Sequence, residues 1–192
     1  HLLFLMEQKI GEVIETNSEE KIYIILNKKV GYSSIKNEYN SIFKTIETSD
    51  LGNNLSIIEN LENEFSGLLI LTNDEFFKDK VYTENFNIKK ECILTLNIEL
   101  TQIHKKKLEK GIILNGQKLS SCSIKQLGDN YLIKIKENTE NQVKKMFEEL
   151  GYKIISLHRT KMGKLNIQKS GLRPGKYKKI PRELLEKKIF NK

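Results

Sequence analysis

Ser66-Gly67-Leu68-Leu69-Ile70-Leu71-Thr72-Asn73-Asp74 is the stretch that decides how this chain folds. Leu68 to Leu71 read as a strand buried on both faces, because no polar side chain marks a solvent side. Asp74 then reads as the N-cap of a helix over 75–81. Ahead of the strand runs an acidic loop, Glu59-Asn60-Leu61-Glu62-Asn63-Glu64. Glu62 is therefore placed just before a rigid element, where a carboxylate can be held for chemistry. On spacing alone, Glu59, Glu62 and Glu64 read as a solvated acidic turn.

Working back from that stretch, 55–59 reads as a strand and 51–54 as a turn. Residues 41–47 read as a short helix with Ile42, Phe43 and Ile46 on one side. Lys21 to Asn27 is rich in β-branched and aromatic residues and reads as a strand. Forward from it, Lys89 to Glu99 alternates from Cys92 to Ile98 and reads as a strand. Thr101 caps a helix that Gly111 stops. Asn115-Gly116 between apolar flanks signals a tight hairpin within 113–119, and 131–137 is the next strand. Val143, Met146, Phe147 and Leu150 share one helical face. Thr139 with Gln142 reads as its capping box and Gly151 as its stop. A strand over 152–157, a turn at 158–163, a basic loop over 172–179 and a helix from Pro181 to Phe190 complete the chain.

The chain has 192 residues and a formal net charge of +8. That length makes one domain, or one domain built from two lobes, with a core of its own, and that charge points to a polyanionic partner, RNA or DNA before membrane. Almost all the positive charge is lysine, and only Arg159, Arg173 and Arg182 are arginine. Alanine is absent while Asn and Ile abound, the mark of a coding bias toward A and T. Cys92 and Cys122 form no CxxC pair, so a reduced, cytoplasmic setting is expected. Cys92 reads as a small buried hydrophobe rather than a nucleophile. The three histidines lack metal-ligand spacing. No P-loop, GxGxxG or membrane-length apolar run is present, so no cofactor, metal or membrane partner is implied.

The opening stretch, extended back to Asn60, resembles the signature of the RsuA-type RNA pseudouridine synthases, Gly-Arg-Leu-Asp-x-x-Thr-Ser-Gly-Leu-Leu-Leu-Leu-Thr-Asn-Asp. Leu61, Ser66, Gly67, Leu68, Leu69, Leu71, Thr72, Asn73 and Asp74 match it. Glu62 stands at the catalytic Asp, Asn60 at the Arg two residues before it, and Phe65 at the Thr. Asn27-Lys28-Lys29-Val30-Gly31 resembles Asn-Lys-Pro-x-Gly. Lys90-Glu91-Cys92 stands at Lys-x-Tyr, whose Tyr carries the target base. Glu137 to Phe147 resembles Glu-Gly-x-x-Arg-Gln-Val-Arg-Arg-Met-Phe, with Asn141 at the first Arg of that run and Lys144 and Lys145 at the following pair. Arg159 and Arg173 fall in two further basic segments of the pattern. The resemblance runs over about residues 21 to 185, ordered motif by ordered motif.

What it implies is an α+β pseudouridine synthase fold over 21–192: a mixed, mostly antiparallel sheet flanked by helices, with a basic cleft. Residues 1–20 are then an N-terminal tail, too short for the small RNA-binding domain many relatives carry ahead of this fold. The implied reaction needs no cofactor. A uridine is flipped from RNA, its N-glycosidic bond is cleaved, the uracil turns over, and C5 is joined to the sugar. Glu62 is the implied catalytic carboxylate. Asn60, Lys90, Cys92 and Asn141 are the implied substrate-binding positions. Lys28, Lys144, Lys145, Arg159 and Arg173 are the implied RNA contacts. The partner is RNA, ribosomal RNA in the branch resembled, and a monomer is expected.

The substitutions set the alternatives. Glu adds one methylene to the acid's reach, Asn60 cannot form a forked pair with it, and Cys92 has no π-face. An RNA pseudouridine synthase working with Glu62 is one reading. A catalytically silent RNA-binding homologue is another, and a basic globular protein of unrelated role is the third.

Overall fold

The computed structural model describes residues 20–46, 54–84, 87–136 and 141–190. Residues 1–19 of the expected tail, most of the turn at 51–54, and Thr139 of the expected capping box lie outside them. A nine-stranded mixed sheet organises the chain. Its main path is β11 (Tyr177–Lys179), β1 (Tyr23–Lys28), β3 (Ser66–Thr72), β9 (Ile154–Met162), β4 (Lys90–Leu96), β8 (Asn130–Ile135) and β7 (Ser123–Leu127). β2 (Ser56–Ile58) pairs with β3, and β10 (Leu165–Asn166) with β9. All these pairings are antiparallel except β3 with β9. β5 (Ile113–Leu114) and β6 (Gln117–Lys118) form a separate hairpin.

The central strands are covered on both faces, as the unbroken apolar runs require. Ile24, Leu26, Leu69 and Leu71 point into one core, Tyr23, Ile25, Leu68 and Ile70 into the other. The first core is closed by Ile42 of α1 (Ile42–Thr45), Leu108 of α3 (Gln102–Glu109), and Met146 and Phe147 of α4 (Gln142–Glu148). The second is closed by Phe77 and Val81 of α2 (Glu75–Thr83) and Leu185 and Ile189 of α5 (Arg182–Phe190). Each fully buried Leu of β3 stabilises the fold by about 1.5–3 kcal/mol.

The Thr72-Asn73-Asp74 end of the opening stretch ties β3 to β1. Thr72 Oγ1 donates to the Ile22 carbonyl at 2.7 Å, and Asn73 Oδ1 accepts from Ile22 N at 2.8 Å. Asp74 caps α2 by accepting from Phe77 N at 3.0 Å and also accepts from the Tyr23 hydroxyl. Burial, and then that bond, push the Tyr23 hydroxyl up to about 12.

Several boundaries differ from expectation. β9 continues through His158-Arg159 to Met162, so the turn falls at Gly163; pairing with β4 on one side and β3 on the other keeps this polar segment extended. β7 was not foreseen, because Ser123 to Leu127 lies at the sheet's end with only Ile124 buried. Tyr177 to Lys179 is an edge strand rather than loop, recruited by β1. α4 begins at Gln142, a buried side chain, with Asn141 at the N-cap in left-handed geometry.

Candidate active site

Gly67 fixes where the site lies. It pairs in parallel with Arg159, and its φ is 108°. A Cβ at this position would sit 2.3 Å from the Arg159 carbonyl oxygen. Only glycine accepts both the backbone angle and this approach. The two halves of the sheet therefore meet directly beneath the loop of residues 59–65.

That loop is held from below by buried cations. Lys28 Nζ donates to the carbonyls of Glu62 at 2.9 Å and Phe65 at 2.7 Å. Arg159 Nη2 donates to the Glu59 carbonyl at 2.7 Å, and its Nε to the Leu68 carbonyl at 2.8 Å. Both side chains were expected to contact RNA. Both are buried instead, donating to backbone carbonyls of the loop and of β3. Burial draws Lys28 down to about 8, and lowers Arg159 as well.

Above these ties is a cavity of about 410 Å³. Its wall includes Glu59, Asn60, Glu62, Phe65, Tyr82, Lys90, Cys92, Asn141, Lys144 and Arg159. The four expected substrate-binding positions, Asn60, Lys90, Cys92 and Asn141, thus come together around Glu62. Glu62 is part-exposed, at 22 %, and its Oε2 accepts from Lys144 Nζ at 2.8 Å. The same ammonium donates to Glu64 Oε1 at 2.7 Å. Lys144 was expected to meet a phosphate; on α4 it faces two carboxylates, which hold its pKa above the usual lysine value. Lys145, the next residue, is exposed. Arg173 is exposed on the loop before β11, outside the cavity wall.

Asn60 uses its amide oxygen on Leu61 N at 2.7 Å and on the Ser34 hydroxyl. Cys92 packs in the first core, and burial pushes its thiol up to about 11. It is thus protonated near neutral pH, in keeping with a buried hydrophobe and not a nucleophile.

Two cavity residues escaped the sequence reading. Glu59 is not solvated: its side chain and that of Lys90 are each 1 % exposed, and they pair at 3.0 Å. Its φ of 50° is left-handed, at the position where the resembled pattern has Gly. That unusual torsion turns the side chain inward, and the Gly of the pattern was the one signal that marked it. Lys90 also donates to the Lys136 carbonyl at 3.0 Å, and burial lowers its pKa. The second is Tyr82 of α2, 44 % exposed. Its hydroxyl accepts from Glu59 N at 3.1 Å, which anchors an aromatic ring in the cavity wall. A lone Tyr near a helix end carries no signal of this in sequence.

No family model matches the chain. Curated relatives do. The ribosomal small subunit pseudouridine synthase A of Haemophilus influenzae is 28 % identical over 176 residues, covering 89 % of this chain and 75 % of that protein. The ribosomal large subunit pseudouridine synthase B of Bacillus subtilis is 28 % identical over 170 residues, covering 84 % and 69 %. A solved structure described as a pseudouridylate synthase superposes with a TM-score of 0.77 at 27 % identity, covering 88 % of this chain and 74 % of that one.

The chain has the pseudouridine synthase fold and is similar to the RsuA-type enzymes over most of its length.

Within this fold, the loop of residues 59–65, its buried ties and the cavity lie together, and Glu62, expected at the acid position, has Lys144 beside it. An archaeal box H/ACA complex containing Cbf5 shares the fold more distantly, at a TM-score of 0.51 and 18 % identity. Among the described residues no group of His, Cys, Asp or Glu is arranged to hold a metal ion, and no helix is long and apolar enough to cross a membrane.

Proposed function

We propose that this protein isomerises uridine to pseudouridine in RNA, with ribosomal RNA as the substrate class, and that Glu62 is the working carboxylate. The observation that carries this reading is the Glu62 carboxylate in the cavity wall, paired with Lys144 at 2.8 Å. A glutamate reaches up to about 1.5 Å further than an aspartate, one C–C bond length. Such a displacement is costly unless the longer arm is held, because about 1 Å of misplacement costs roughly a hundredfold in rate. Lys144 supplies that hold from α4.

The reaction is an internal exchange of bonds. The C1′–N1 bond of the flipped uridine breaks, the uracil rotates, C1′ joins C5, and the proton on C5 leaves while N1 gains one. No atom is added or lost. Glu62 acts at the sugar, where positive character develops as the glycosidic bond lengthens. Tyr82 and Phe65 offer the cavity's aromatic surface, in place of the Tyr that Cys92 replaces. The Glu59–Lys90 pair balances its own charge at the floor, and the buried Arg159 adds positive charge beside it.

A silent RNA-binding homologue is the second reading, favoured by one observation: Glu64 competes for the ammonium that holds Glu62. Pseudouridine mapping of ribosomal RNA, with and without the gene, decides between them. One modified site is expected to vanish on deletion, to return with the wild-type gene, and to stay absent with Glu62→Gln. If no site depends on the gene while salt-sensitive RNA binding persists, the binder is correct.

A further inference from the structure

Helix α2 sends one side chain into a cavity that is otherwise lined by the sheet, by α4 and by the loop of residues 59–65. That side chain is Tyr82, next to the end of the helix. Phe77 and Val81 of the same helix are fully buried in the second core, so the ring hangs from a fixed element. It is nonetheless 44 % exposed, and it shares the cavity wall with Glu59, Lys90 and Cys92. Its hydroxyl accepts from Glu59 N at 3.1 Å, at the first residue of the loop that carries Glu62. Position 82 lies outside the motifs that carry the resemblance.

A base turned out of a strand gives up the stacking it had with its neighbours, so a site that holds one offers a flat face in exchange. Among the described residues the wall has two aromatic rings, Phe65 and Tyr82. Phe65 is 6 % exposed and packs in the first core, and the Lys144 ammonium lies 5.9 Å from its ring centroid. Its surface is already used by the fold and by the rim. The half-exposed ring of Tyr82 is the one with a face to give. The hydroxyl has a separate consequence. Glu59 holds a left-handed φ of 50°, and a residue other than glycine keeps that torsion only where its surroundings enforce it. The bond from Glu59 N to Tyr82 is one such constraint, three residues ahead of Glu62.

We propose that Tyr82 serves the reaction twice: its ring face receives the flipped uracil, and its hydroxyl holds the turn at Glu59 that sets the position of Glu62. The proposal rests on the reading of the cavity as a uridine site. It makes α2 the element that joins base binding to placement of the acid. Ring and hydroxyl belong to one planar group, so a base stacked on the ring also steadies the anchor of the turn.

Substitution separates the two jobs. The chain has no tryptophan, so Tyr82→Trp places a single indole in the wall as a reporter. Addition of a twelve-nucleotide oligouridine to this variant of the full chain is expected to quench the indole emission, and an abasic strand of equal length is expected to leave it unchanged. By fluorescence anisotropy, Tyr82→Leu is expected to bind labelled oligouridine about 5- to 150-fold more weakly, with its affinity for the abasic strand unchanged. Tyr82→Phe is expected to bind both as wild type does. On the ribosomal RNA site found by deletion mapping, Tyr82→Phe is expected to lower kcat by up to about a hundredfold at nearly constant KM, whereas Tyr82→Leu raises KM as well. Equal quenching by both strands, or unchanged oligouridine affinity in Tyr82→Leu, overturns the role of the ring. Unchanged kcat in Tyr82→Phe overturns that of the hydroxyl. Equal loss of affinity for both strands in Tyr82→Leu, together with a fall in Tm, makes Tyr82 a structural residue and overturns the proposal. Base-dependent quenching without any turnover removes the enzymatic reading and the hydroxyl's role, and leaves the ring as a binding face. Turnover intact in Tyr82→Leu removes the ring's role and leaves the enzymatic reading.

Discussion

The floor and the rim of the cavity are built from the same residue types and behave in opposite ways. On the floor, Glu59 pairs with Lys90 out of contact with water. On the rim, Glu62 and Glu64 share Lys144 in partial contact with it. Burial lowers the pKa of Lys90 and Lys28, whereas the rim carboxylates raise that of Lys144. Desolvation governs below and pairing governs above. A buried pair is costly to break and makes a firm support. An exposed pair contributes little to folding and is available for chemistry.

The sharpest way to break this contrast is Glu59→Ala. It strands Lys90 and is expected to cost about 3–5 kcal/mol, read as a fall in Tm of roughly 10 °C. Adding Lys90→Met removes the stranded charge, and the double variant should recover most of the loss. A single variant as stable as wild type would show that the floor pair supports nothing.

Lys144→Gln probes the rim. Its stability change is expected to stay within about 1 kcal/mol, while kcat falls roughly a hundredfold through a loosened Glu62. KM should move much less, and Lys144→Arg should restore most of the turnover. Equal damage to stability and rate would make Lys144 a structural residue.

A further test concerns Lys28. Its pKa in the fold is about 8, below the ordinary lysine value of 10.5. Between those two values the unfolded chain binds more protons than the folded one, so stability rises with pH through this window. Denaturant titrations of wild type and Lys28→Met from pH 7 to 10.5 should show the rise in wild type and its absence in the variant. A parallel pair of curves would refute the assignment.

The same contrast marks what the sequence could reveal. Leu68 to Leu71 announced a doubly covered strand because four apolar neighbours admit little else. Asp74 and Thr101 announced their helix starts because capping is local: Phe77 N and His104 N are the donors found. Glu62 was reachable through a motif of fixed spacing. Glu59 was not, because its burial depends on a left-handed torsion and on Lys90, brought close only by the sheet. Lys28 and Arg159 look like surface cations in any local reading; their partners are carbonyls of residues 59–68, brought to them only by the fold. The Glu62–Lys144 pair joins residues 82 positions apart, a distance at which neither periodicity nor composition carries information.

The crossing of β3 with β9 at Gly67 has a consequence for biosynthesis. Arg159 reaches back 91 residues to Leu68 and 100 to Glu59. On a ribosome the acidic loop emerges long before the arginine that will steady it. Closing so long a stretch of chain is slow compared with forming the local helices. A nascent chain cut short before β9 would carry the acidic loop without its arginine tie, so this centre is completed only after residue 159 has been made.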